Sequence, residues 1–260
     1  MGKYFNVTVK PEIEVAALAA AGGTDDTEIL FDWSGFDIPK GASKLIGITA
    51  RYTGKNGVDF TPLDFECYWA KTINGAAPPT LGPDGALVVS HGWFPNIIGK
   101  TFMDSSNGRN DGDLIMGNII SAAAPGGGTA AQSNANNLPM TNALVLQGEP
   151  ESGTNVGYDK LYVAAISKED NHIWGPSTME CGSGLATTSP TLAVTDLSPI
   201  LSGIGPGDVL RDEDDNLLGT VKSVDLATSM TMEANLGNAS AAGKLVYNTT
   251  PITLILSFEK

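Results

Sequence analysis

The stretch GDVLRDEDDNLLGTVKSVD, residues 207–225, sets five acidic residues within its first nine positions. Three readings compete for it: a calcium loop, a catalytic cluster, or the turn of a hairpin. An EF-hand loop begun at Asp212 would place Asp214 and Asn216 at its third and fifth positions. The sixth position must then turn sharply on glycine, yet it is Leu217, and the twelfth must be a bidentate glutamate, yet it is Ser223. The flanks DVLR and LLGTVKSV alternate in polarity as strands do, and DEDDN supplies side chains that accept hydrogen bonds from their own backbone. Gly207 and Gly219 allow tight geometry at the strand entry and a bulge. The stretch predicts a hairpin and contributes no metal residue.

Working outward, the composition shifts near residue 175. From there TLAVTDL, GDVLRD, NLLGTVKSVD, SMTMEAN and GKLVYN alternate with tight turns and predict a small barrel of about five strands. The chain then closes with PITLILSFEK, in which Ile252, Leu254, Leu256 and Phe258 alternate with Thr253, Ile255 and Ser257. That last strand looks like a return to an earlier sheet. Before residue 175, strand patterns recur in YFNVTVKPEI, EILFDWSGFDIP, SKLIGITARYTG, DFECYWAKTI, ALVVSHGWF, GDLIMGNII, ALVLQGEP and KLYVAAISKED. With the last strand they make about nine, a number suited to a two-sheet sandwich or jelly roll.

The expectation is therefore an all-β chain. Residues 1–174 plus 250–260 form a β-sandwich or jelly-roll-like domain, and residues 175–249 form a small β-barrel module inserted before the last strand. EIEVAALAAAGG reads as either a short helix or an irregular strand. Residues 121–139 and 72–85 read as loops, the first suited to being ordered by a partner.

Hydrophobic residues make up 42% of the 260 and charged residues 17%, which is enough for a sizeable core. The net charge of −14 argues against a nucleic-acid partner, because phosphate binding needs clustered Lys and Arg. Cys67 and Cys181 lie far apart with no metal or redox spacing and read as free, buried thiols of a reducing compartment. MGKYFNVTVK has no apolar signal core and lacks the Ser or Thr that myristoylation wants at position 6. The longest apolar run, Ala16–Ala21, is too short to span a bilayer, so no membrane partner is expected.

The chemistry-bearing residues carry no catalytic pattern. DSSNGRNDGD, residues 104–113, brings Asp104, Asp111 and Asp113 together without calcium spacing and reads as a surface loop. The two histidines, His91 and His172, each sit near a tryptophan. Ser90 adjoins His91, but neighbours in a strand face opposite ways, so the pair makes no nucleophile and base. No GxSxG elbow, phosphate loop, HExxH or zinc pattern is present. Among 29 acidic residues some pair would always suit a glycosidase, so that pattern decides nothing. Trp33, Trp69, Trp93, Trp174, Tyr52, Tyr68 and Tyr162 read as core, with a sugar platform as the alternative. No catalytic, cofactor-binding or metal residue is assigned, and no cofactor is expected.

The 207–252 stretch resembles small β modules of tailed-phage virion proteins: a Gly-Asp-hydrophobic entry, an acidic turn, a Gly-Thr-Val strand and a closing strand leading to Pro-Ile. LIGITARYTGKNG, DFECYWAKT and DKLYVAAIS are similar in texture to marine phage head and decoration proteins. The resemblance implies a non-enzymatic capsid decoration or cement subunit on the virion exterior, assembled in the host cytoplasm. Its implied partner is the major capsid protein lattice, with a homo-oligomer, trimer favoured. Residues 3–10 and 121–139 would be the lattice contacts. The alternatives are a carbohydrate- or cell-surface-binding sandwich in a neck, tail or fibre, and a hydrolase using an acidic pair.

Overall fold

The structure, a computed structural model, describes residues 3–57, 63–103, 109–110, 114–116, 144–151, 157–175, 178–196, 199 and 202–260. Asp104, Asp111, Asp113 and the 121–139 loop lie outside the described residues. The strands, in chain order, are β1 (Tyr4–Val9), β2 (Ile29–Pro39), β3 (Ser43–Tyr52), β4 (Phe65–Lys71), β5 (Ile97–Met103), β6 (Arg109–Asn110), β7 (Leu114–Met116) and β8 (Leu144–Leu146). They continue with β9 (Tyr158–Ser167), β10 (Glu180–Cys181), β11 (Thr191–Thr195), β12 (Val209–Asp212), β13 (Leu217–Leu226), β14 (Ser229–Met232), β15 (Val246–Asn248) and β16 (Ile252–Glu259). Every named strand pair is antiparallel, and the chain is all-β.

The first sheet runs β1-β16-β3-β7-β6, with β8 also on β3; the second runs β2-β9-β4-β5. Alternation in sequence explains how they pack. Ile252, Leu254, Leu256 and Phe258 of β16 are all fully buried, as are Phe65, Cys67 and Trp69 of β4 and Val163 and Ala165 of β9. These residues form one cluster with Phe31, Leu45, Ile48 and Ala50, so the two sheets share a core between them. Each large side chain so buried contributes about 1.5–3 kcal/mol of transfer free energy. Trp69 donates its indole N–H to Thr101 Oγ1 at 3.1 Å, which lets a polar atom sit in that core.

The third sheet runs β10-β11-β14-β13-β12-β15. Its two edge strands also meet: the Cys181 and Val246 amides donate to the carbonyls of Lys244 and Met179, at 2.7 and 2.9 Å. It has its own core of Met179, Cys181, Leu192, Val194, Leu210, Leu218, Val221, Met230, Met232 and Val246. Both cysteines are free and buried, in different cores. Burial pushes the Cys67 thiol well up and the Cys181 thiol up to about 11, which keeps both protonated. After β15 the chain returns to the first sheet, where β16 lies between β1 and β3.

Several expectations change in detail. ALVVSHGWF is not a strand: beyond a single bridge from Leu87 to Glu28 it is irregular, ending in a 3-10 turn at Phe94–Asn96. It lies instead over the outer face of β2-β9-β4-β5, where Leu81 and Trp93 bury against Ile29, Ala164 and Ile166. EIEVAALAAAGG holds one helical turn, Val15–Leu18. The third sheet has six strands rather than about five, because Glu180–Cys181 joins it. Ile97–Met103 is a strand that the sequence pattern did not reveal.

Candidate functional site

The acidic stretch is the hairpin turn between β12 and β13. Asp212, 1% exposed, is its centre. One carboxylate oxygen accepts the amides of Asp214 and Asn216 at 3.0 and 2.9 Å, and the other accepts the Ser240 hydroxyl at 2.6 Å. The Asn216 side-chain amide reaches both oxygens. Burial raises the Asp212 pKa, but these donors outweigh it and the net shift is downward. A carboxylate so completely satisfied, by its own turn and by Ser240, is a structural cap. Gly219 (φ 151°) sits at the bulge in β13, its Cα side packed on Met232.

Both histidines pack against tryptophan rings. His91 is exposed and stacks on Trp93, with ring centroids 6.4 Å apart, and meets the edge of Phe94 at 4.9 Å. Ser90 Oγ accepts the Gly92 amide at 3.4 Å. His172 is buried against Trp174 in a T-shaped contact at 4.9 Å, with Glu169 3.5 Å from its Nδ1. Trp174 donates to Thr24 Oγ1 at 3.1 Å. Trp69, Trp93, Trp174, Tyr52 and Tyr162 are buried, as core residues should be, while Trp33 and Tyr68 are half-buried. Among the described residues no three His, Cys, Asp or Glu side chains are grouped to hold a metal.

Among the described residues two hollows stand out, neither visible from motif or spacing. The first, about 430 Å³, is apolar and is bounded by Tyr68, Val88, His91, Trp93, Phe94 and Ile97. It opens where the irregular 72–96 segment crosses the second sheet. Asp32 pins that segment by accepting the Thr80 hydroxyl at 2.5 Å and the Leu81 amide at 3.1 Å, and Trp33 donates to the Pro79 carbonyl at 2.9 Å. Phe94 on the hollow's rim is 56% exposed, and Leu87 and Val89 of the same segment are 62% and 68% exposed, unusual for side chains of that size.

The second hollow, about 840 Å³, lies where β1, β2, the 72–96 segment and the β12–β13 turn meet. Glu12, Glu14, Asp32, Asp84 and Asp215 face it, together with Trp33, Lys10 and Arg211. Both cations are already engaged. Lys10 bonds Asp208 at 2.6 Å and the Pro206 carbonyl at 2.7 Å, while Arg211 lies 3.6 Å from Glu12 and 3.5 Å from Asp215. Asp84 accepts the Glu14 amide at 3.0 Å. Burial, joined by the Glu14 and Asp32 charges, pushes its pKa up to about 7 although the Glu14 amide pulls the other way.

No family model, curated protein or solved structure matches the chain.

Proposed function

We propose that this chain is a non-enzymatic virion structural protein, a decoration or cement subunit that binds a capsid head lattice in many copies. One observation carries the reading: the 86–94 segment leaves Leu87, Val89 and Phe94 exposed, with Phe94 at the apolar hollow and Val89 at the acidic one. A surface of that kind gains free energy by being covered. The net charge of −14 suits a protein facing solvent rather than packaged nucleic acid.

In the same reading, residues 1–174 plus 250–260 form the sandwich that carries the docking surface, and residues 175–249 form a small barrel inserted before its last strand. The hydrogen bonds joining the edges of the third sheet support the barrel, and the central place of β16 supports the insertion. The test is binding of the purified chain to empty heads assembled from the major capsid protein of the same virus. Binding is expected, weakened at least about tenfold by Phe94→Asp; heads that retain none of the wild-type chain would refute it.

The second reading, a carbohydrate-binding module, is favoured by Trp33 beside Asp32 and Thr80 on the wall of the acidic hollow. It requires a glycan array to light up with the wild type and go blank with Trp33→Ala.

A further inference from the structure

The charge of the sandwich is polarised along β1. Beside Tyr4, where β1 begins, stand four of the chain's lysines, although the chain as a whole is strongly acidic. The backbones of Lys3 and Lys260 bond each other in both directions, at 3.2 and 2.9 Å, and Lys260 Nζ donates to the Lys40 carbonyl at 2.7 Å. Lys44 belongs to the same corner: Tyr4 pairs with Glu259, Glu259 with Lys44, and Lys44 with Val145, as one rung across four strands. Phe5, Phe258 and Leu45, next along those strands, turn into the core side, so the rung faces outward. Tyr4 is 70% and Val145 55% exposed. Glu259, 3.5 Å from Lys44, is the rung's one carboxylate.

At the other end of β1, about 20 Å from Tyr4, Lys10 borders the acidic hollow. Its Lys10 and Arg211 are taken by their own carboxylates, and among the described residues no Lys or Arg forms an ion pair with Glu14, Asp32 or Asp84. One end of the strand therefore offers lysines without enough acid, and the other offers acid without enough base.

We propose that copies of this chain associate head to tail, the lysine corner of one (Lys3, Lys40, Lys44 and Lys260) docking on the acidic hollow of the next. The two surfaces differ, so the contact is heterologous, and it must close into a ring or extend as a filament. Trp33 and Val89 on the hollow's wall and Tyr4 and Val145 on the corner supply the apolar part of the contact. This deepens the oligomeric side of the proposed function and rests on it only there, since no capsid is needed for rings to form.

The test is the mass in solution by light scattering at about 25 mM and about 500 mM salt, which screens the contact over several ångströms rather than tens. A closed oligomer is expected at low salt, shifting toward monomer at high salt. Lys44→Glu with Lys260→Glu, and separately Glu12→Lys with Glu14→Lys, should each weaken association at least about tenfold; all four sit on the surface, and urea unfolding confirms that each variant folds. All four changes in one chain should restore it. Mixing the two double variants should also restore it, as oligomers in which the two alternate, because the reversed corner of one meets the reversed hollow of the other. A monomer at low salt and every concentration overturns the proposal, as does an oligomer indifferent to salt and to both variants. Rings absent from purified virions would sink the capsid reading alone, and monomers bound to heads would sink this one alone.

Discussion

Asp84 is the residue whose ionisation the fold resists. Its carboxyl, half-buried beside Glu14 and Asp32, has a pKa pushed up to about 7, so between about pH 4 and pH 7 the folded chain holds a proton that the unfolded chain has released. Its contribution to stability is complete below the ordinary carboxylate value and is lost as pH rises through 7. Asp84→Asn keeps an acceptor for the Glu14 amide but cannot ionise. Urea midpoints measured across that range should show the wild type losing about 1–2 kcal/mol relative to the variant by pH 8. Parallel curves would mean that Asp84 titrates normally.

Gly57 offers a second test. It has φ +76°, and a Cβ there would lie 2.6 Å from Ile204 Cγ1 and 2.9 Å from Ser202 Cβ, while its carbonyl accepts the Gly203 amide. Gly57→Ala should cost about 2–4 kcal/mol in chemical unfolding; a neutral result would mean that this contact is loose. Asp212 shows what the residue scale reveals from sequence. DEDDN fails the calcium template at Leu217 and Ser223, and the turn it then implies is the one observed. Ser240, which completes the cap from 28 positions away, has no local signal. Asp212→Ala should leave the Ser240 and Asn216 donors unanswered and destabilise the chain by about 2–3 kcal/mol in the same assay.

At the scale of elements, strands were legible wherever alternation was long. β16, β3, β4 and β12 fall within the segments that their periodicity marked, while β9 begins two residues before its segment and β13 ends one residue past its own. ALVVSHGWF misled because its apolar residues bury by lying across a sheet face, not by extending the sheet edge. Pro79, Pro83 and Pro95 interrupt any ladder there, and the bonds to Asp32 and Ile29 hold the segment to β2 instead. Ile97–Met103 escaped because Gly99-Lys100 breaks its apolar run and much of it is half-exposed. Trp93 locks the segment down, 4% exposed with its indole bonded to the Ser90 carbonyl. Trp93→Ala should cost about 3–5 kcal/mol or release residues 86–96, seen as faster amide exchange confined to that segment; unchanged exchange would show that the hollow does not depend on it.

For the whole molecule, composition and periodicity gave the all-β class, whereas both hollows depend on long-range folding. Glu12, Asp32, Asp84 and Asp215 lie far apart in sequence and meet only because β1, β2 and the β12–β13 turn converge. The lysine corner is equally invisible in the sequence, since Lys3, Lys40, Lys44 and Lys260 become neighbours only through the pairing of β1, β16 and β3. Exposed apolar side chains on the 86–94 segment and opposite charge at the two ends of one strand support the proposal that this chain is covered by other protein, and that proposal is the central claim. The direct measurement of the proposed decoration role is quantitative mass spectrometry of virus particles purified from cells that produce the chain. We predict the chain at a copy number comparable to that of the major capsid protein; its absence from the particles, or its presence in only trace amounts, would contradict the decoration role.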